Sequence, residues 1–130
     1  MDFPETRVAA VEHRGPPYLE HQTVRRLVEW RMQNGLPPAR HRCYGVHCTD
    51  PRTTAPDDHR VDFCVSVVRD YPPNPQGVMN KTIPGGRCAV VRHLGARVIK
   101  DVIKGAKLTL FLQAPRQVRI FMFLFRSRFC

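Results

Sequence analysis

Val8-Ala9-Ala10-Val11-Glu12-His13-Arg14-Gly15 and Cys88-Ala89-Val90-Val91-Arg92-His93-Leu94-Gly95 are the two stretches on which the fold turns. At a constant offset of 80 residues, Ala9 and Ala89, Val11 and Val91, His13 and His93, and Gly15 and Gly95 are identical, and Pro4 and Pro84 extend the match upstream. Each copy reads as a short Val-rich strand closed by His-x-Gly, with a helical pattern after it. Two copies of one supersecondary unit point to a pseudo-symmetric domain, because stacked repeat arrays need three or more units.

Working outward, the first copy leads past Gly15-Pro16-Pro17 into a helical pattern over 18–34. Val24, Leu27 and Val28 share a stripe there, with Met32 at its edge and Gly35 as the stop. Trp30 lies about 60° around the wheel from Leu27, at the flank of that stripe. A second strand covers 42–48 and ends at Thr49-Asp50-Pro51, a turn signal. The clearest strand follows: Val61, Phe63, Val65 and Val67 alternate with Asp62, Cys64 and Ser66. A Pro-rich connector over 71–77 separates the halves. The second half then reads as a strand at 78–83, a turn at Pro84-Gly85-Gly86 and the repeated strand at 87–93. Val98, Ile99, Val102 and Ile103 set the stripe of a second amphipathic helix. Val118–Phe125, apolar on both faces, reads as a central strand or as one covered by a partner chain. The predicted class is α+β.

A length of 130 residues fits one domain with a real core, expected to span 1–130 as a first repeat at about 6–70 and a second at about 78–130. The longest apolar run, Ile120–Phe125, is far short of the roughly 20 residues needed to span a membrane as a helix. No signal-peptide pattern opens the chain, so a cytoplasmic location is expected. Five cysteines, an odd number without an export signal, read as reduced thiols. The net charge of +10 is uneven. Residues 96–130 carry eight Lys/Arg against Asp101, or +7, which leaves +3 for the first 95 positions. The basicity belongs to the tail, which makes nucleic-acid binding a reading of the tail alone.

Four residues have metal-ligand chemistry and lie close in sequence: His41, Cys43, His47 and Cys48. All fall on one predicted strand, whose alternation splits them between faces, so one ion is not wrapped and no metal is expected. No local sequence gives a Cys nucleophile a His base, and no catalytic residue is assigned. His13 and His93 read as turn-forming structure. Asp62 reads as a structural carboxylate paired near Arg60, on the face opposite the apolar row of Phe63. Tyr18, Trp30, Tyr44 and Phe63 are the aromatic candidates for a pocket wall.

The ordered set of landmarks resembles the GyrI-like small-molecule-binding domain, which also serves as the effector-binding part of AraC-type regulators. Those landmarks are Val11-Glu12-His13-Arg14-Gly15-Pro16, the helix with Leu27 and Trp30, Asn34-Gly35-Leu36, and Tyr44 to Pro51. They continue through Arg60 to Val65, Thr82 to Val90, and His93-x-Gly95. The resemblance implies a duplicated βαββ-like repeat, an antiparallel sheet with two helices on one side, and a ligand cleft near the pseudo-twofold axis. It further implies a non-enzymatic module without a cofactor that binds lipophilic, planar and in many cases cationic molecules. The residues assigned to that site are Tyr18, Trp30, Tyr44, His47, Asp62, Phe63 and Cys88. The partners implied are a small organic ligand and a DNA-binding regulator or gyrase, with no membrane; a homodimer through the C-terminal strand is the candidate assembly. An inhibitor of gyrase-like enzymes is the competing role. The chain departs from the family where tyrosines are frequent, having His47, Cys48 and Cys88 there. It also has no Glu after Glu29, although an acidic residue in the C-terminal part is the family's usual counter-charge for cations.

Overall fold

The computed structural model describes residues 2–37, 40–49, 53–94, 108–113 and 118–124, with backbone alone at 87, 89–94, 108–113 and 118–124. Eight strands and one α-helix lie within these residues. The strands are β1 (Asp2–Phe3), β2 (Thr6–Arg14), β3 (Cys43–His47), β4 (Arg60–Ser66), β5 (Met79–Ile83), β6 (Gly86–Leu94), β7 (Leu108–Gln113) and β8 (Val118–Leu124). The helix α1 (Glu20–Gln33) follows one turn of 3₁₀ helix at Pro17–Leu19. The second helix expected around Val98–Ile103 lies outside the described residues. The sequence pattern does not signal β1 or β7: two residues are too short for a periodic signal, and Leu108–Gln113 lies within the basic C-terminal stretch.

All strand pairs are antiparallel, in the order β1-β6-β8-β7-β3-β4-β2-β5. The registers repeat across this sheet. Asp2 faces Arg87 and Phe3 faces Gly86 in β1·β6, while Thr82 faces Arg7 and Ile83 faces Thr6 in β5·β2. A shift of 80 carries the first pair of strands onto the second. The ladder from Val8↔Ser66 to Arg14↔Arg60 corresponds in register to that from Cys88↔Leu124 to Leu94↔Val118, with β2 offset from β6 by 80 residues and β4 from β8 by 58. β3 and β7 meet at the centre of the order, where Gly45 faces Phe111. β8 is paired on both sides, so the central-strand reading holds and its backbone edge is not open to strand pairing with a second copy.

The sheet is curled. Phe3 on β1 and Tyr44 on β3 sit four strand steps apart in the order, about 19 Å in a flat sheet at roughly 4.8 Å per step. Their ring centroids are 6.2 Å apart, edge to face. The curl closes where the β1–β2 and β5–β6 linkers cross. A Cβ on Gly85 would stand 2.8 Å from the backbone N of Glu5 and 3.0 Å from the carbonyl O of Phe3, so the crossing admits no side chain there.

α1 lies against β2 and β4 and closes the convex face. Ala9, Val11, Leu27, Trp30, Leu36, Val61, Phe63, Val65, Val67 and Val78 form that core. The buried stripe of the helix is Thr23, Leu27, Trp30 and Arg31, while Val28 and Met32 are exposed. The helix is thus rotated from the expected Val24/Val28 stripe. The rotation sinks its largest apolar side chain, Trp30, to 2% exposure and an edge-on contact with Tyr71 at 5.0 Å. α1 ends in a Schellman turn: Leu36 N–H donates to the Arg31 carbonyl (3.1 Å) and Gly35 adopts φ +64°. Cys43, Cys64 and Cys88 are free thiols; Cys48 is disulfide-bonded, which corrects the expectation of five reduced cysteines.

Candidate functional site

Alternation along each strand sorts the sheet into two chemistries. On β4 the odd positions Val61, Phe63 and Val65 face α1, and the even positions face the interior of the curl. Registers extend this rule: Cys64 is opposite Ala10 and Tyr44, and Asp62 is opposite Glu12 and Val46. The interior cluster comprises Phe3, Val8, Ala10, Tyr44, Val46, Cys64, Ile83 and Cys88, all buried, with Cys48 packed against it. No described helix covers it. The wrapping of the sheet does.

One end of this apolar interior carries a chain of alternating charges. Lys81 Nζ lies 2.5 Å from Asp62 Oδ2, Arg60 Nε is 3.6 Å from Asp62 Oδ1, Arg60 Nη2 is 3.2 Å from Glu12 Oε2, and Arg14 binds the other oxygen of Glu12. The register sets like charges directly opposite, Glu12 against Asp62 and Arg14 against Arg60, which alone would repel. Diagonal pairing resolves the conflict. Among the described residues, three cations face two carboxylates here. Asp62 is fully buried at 0% exposure, and a carboxylate is kept there only because partners offset its desolvation. The hydrogen bond from Arg14 lowers Glu12 below the ordinary glutamate range despite some burial, helped by Arg60 and Lys81. Burial raises the phenol of Tyr44 and raises the thiol of Cys64 strongly, so both stay neutral at physiological pH.

The seven sequence-derived site residues divide by face. Tyr44, Asp62 and Cys88 come together on the interior. Trp30 and Phe63 belong to the core beneath α1. His47 also falls on the α1 side, with its ring centroid 6.4 Å from that of His59. Tyr18, at 76% exposure, sits beside the helix entry and lines neither core. Sequence reasoning missed Phe3, Ile83, Glu12 and Lys81. Phe3 and Ile83 become neighbours of Tyr44 only through the curl. Lys81 could have been found from β2 pairing, since it lies opposite Val8 on the interior face.

His13 is structural in its contacts. The Pro16 carbonyl can only accept, so His13 Nε2 carries the proton (3.1 Å), and Nδ1 then accepts from the Thr23 hydroxyl (2.8 Å). This pins the end of β2 to the first turns of α1. His59 Nε2 pairs with Glu20 at 2.8 Å on the same side. Among the described residues no group of three or more His, Cys, Asp or Glu is placed to hold a metal ion. No helix among them is long and apolar enough to cross a membrane.

Comparison with known proteins places this geometry in context. Residues 1–104 match the family model described as GyrI-like small molecule binding domain. Two curated sequences, each named probable transcriptional regulator YgiV, from Escherichia coli K12 and O157:H7, are 43% identical over 96 residues. That match covers 73% of this chain, which spans 60% of the length of those relatives. The crystal structure of the EcmrR C-terminal domain superposes with a TM-score of 0.65 at 12% identity, covering 95% of this chain and 93% of that one. At that identity the likeness is one of fold.

Proposed function

The chain belongs to the GyrI-like family of small-molecule-binding domains, and on that premise we propose that it binds small lipophilic, planar organic molecules inside its curled sheet without transforming them. The observation that carries this reading is the interior apolar cluster around Tyr44, left uncovered by α1 and bordered by the buried Asp62 network. An apolar wall with a few fixed polar groups is the usual make-up of a ligand site. Tyr44 and Phe3 offer aromatic faces and edges, Val46 and Cys88 the floor, and Asp62 with Lys81 the polar end. Trp30, Phe63, His47 and Tyr18 support the fold around the site rather than touch the ligand.

The charge network refines the ligand class. Asp62 already has Lys81 and Arg60, so it has no charge left over to attract a cation. Neutral planar molecules therefore bind at least as well as cationic ones. We further read residues 1–130 as one domain of two related units, at about 6–70 and 78–130, which the 80-residue correspondence of registers supports. In this reading the site adjoins the centre of the sheet, where β3 meets β7. The biological role we propose is an effector-binding module whose bound state is read by a DNA-binding regulator, working in the cytoplasm.

A thermal-shift screen against neutral planar aromatics, their quaternary ammonium analogues and anionic controls tests this. Saturation at about 100 times the dissociation constant stabilises a fold by about 2.7 kcal/mol. Neutral aromatics are expected to raise the melting temperature as much as the cations do. Stabilisation by cations alone would refute the charge argument, and none by any class would refute binding.

A further inference from the structure

On the α1 side of the sheet, remote from the interior cluster, Arg31 is 9% exposed and has no ion pair among the described residues. Its Nε donates to the Leu36 carbonyl (3.2 Å) and its Nη1 to Cys43 Sγ (2.9 Å), while Nη2 is buried without a hydrogen-bond partner. A buried guanidinium with an idle N–H and no counter-anion is costly. The group it touches is a thiol that becomes anionic on oxidation. Cys43 is half-buried, whereas Cys64 and Cys88 are buried, so Cys43 is the most accessible of the free thiols among the described residues.

We propose that Cys43 is an oxidative modification site, at which a hydroperoxide converts the thiol to a sulfenate held by Arg31. The sulfur attacks the near oxygen of the peroxide and an S–O bond forms as the O–O bond breaks. The thiol is oxidised by two electrons, the peroxide is reduced, and water leaves when hydrogen peroxide is the oxidant. The sulfenic acid then gives its proton to solvent, and the resulting anion meets the guanidinium that lacked one. At rest, burial raises the thiol and Arg31 offsets only part of that rise, so the resting group is neutral and the oxidation is slow but directed. The oxidised group ties β3 to the C-terminal turn of α1, because Arg31 also holds the Leu36 carbonyl.

The test treats the full chain with hydrogen peroxide in the presence of dimedone and measures adducts at Cys43, Cys64 and Cys88 in one sample by peptide mass spectrometry. Labelling at Cys43 is expected to exceed that at either other thiol by about tenfold, and to drop by a similar factor in Arg31→Met. Equal labelling of the three cysteines, or unchanged labelling in a folded Arg31→Met, overturns the proposal. A second comparison does not need Arg31 removed: Cys43→Asp places a fixed anion beside the guanidinium, and Cys43→Asn is its neutral isostere. The Asp variant is expected to melt higher than the Asn variant. An Asp variant that melts lower contradicts a guanidinium waiting for an anion.

Discussion

The two faces of this sheet are made from the same strands, yet they solve different problems. The face beneath α1 is apolar across its centre, from Ala9 and Val11 to Val61, Phe63 and Val65, and a helix seals it with Leu27 and Trp30. The inner face is also apolar around Tyr44 and Val46, but it ends in a buried carboxylate with two cationic partners and has no described helix over it. Dense apolar packing maximises stability. A buried ion pair contributes little net stability compared with apolar residues of the same shape, because desolvation offsets most of its attraction. One face holds the fold together; the other gives up stability to keep a buried ion pair beside an apolar cluster.

That contrast can be broken most strongly on the convex face. Trp30→Ala removes the largest side chain of the sealed core, and we expect a loss of about 3–5 kcal/mol in chemical denaturation. On the inner face, Lys81→Met leaves Asp62 buried with only the longer contact to Arg60, and the expected loss is about 3 kcal/mol. Replacing both partners, in Asp62→Leu with Lys81→Met, should recover most of that loss, as urea unfolding of the three variants would show. A double variant as unstable as the single one would mean that the pair is a net source of stability, and the contrast between faces would fall.

Smaller effects sharpen the picture. Gly85→Ala pushes a methyl into the crossing of the two linkers that closes the curl, and should cost about 1–3 kcal/mol by thermal unfolding. The smallest effect concerns Glu12, whose folded carboxyl is a stronger acid than the ordinary value of 4.5. Because the folded value is depressed, the contribution of this group is complete above the unfolded value and fades as pH falls through the folded one. The stability gap between the protein and Glu12→Gln should therefore be present at pH 7 and shrink as pH falls below the ordinary value of 4.5.

The sequence made the strands of the first half legible because alternation in Val61–Val67 and the repeated Val-Ala segments leave period-2 signals that survive in isolation. It made the separation of Asp62 from Phe63 legible for the same reason. It grouped Trp30 and His47 with Tyr44, whereas the structure sets them on the other face of the sheet, because the roll of a helix and the face a short strand presents are set by tertiary packing. Phe3, Ile83 and Lys81 were out of reach individually: they converge on Tyr44 and Asp62 only after the sheet has curled and β2 has paired with β5. The offset identities at 80 residues fall mainly on β2 and β6, two strands that each have an antiparallel partner on both sides. They carry no signal for how far the sheet bends.

The most direct test of the account compares methyl groups on the two faces. In methyl NMR of the protein titrated with the neutral planar aromatic that stabilises it most, Val8, Val46 and Ile83 are predicted to shift and to show contacts to the ligand. Val61, Val65 and Leu27 should stay in place. Ligand contacts to Leu27, Val61 and Val65, with Val46 unmoved, would put the site beneath α1 and contradict the assignment of binding to the inner face.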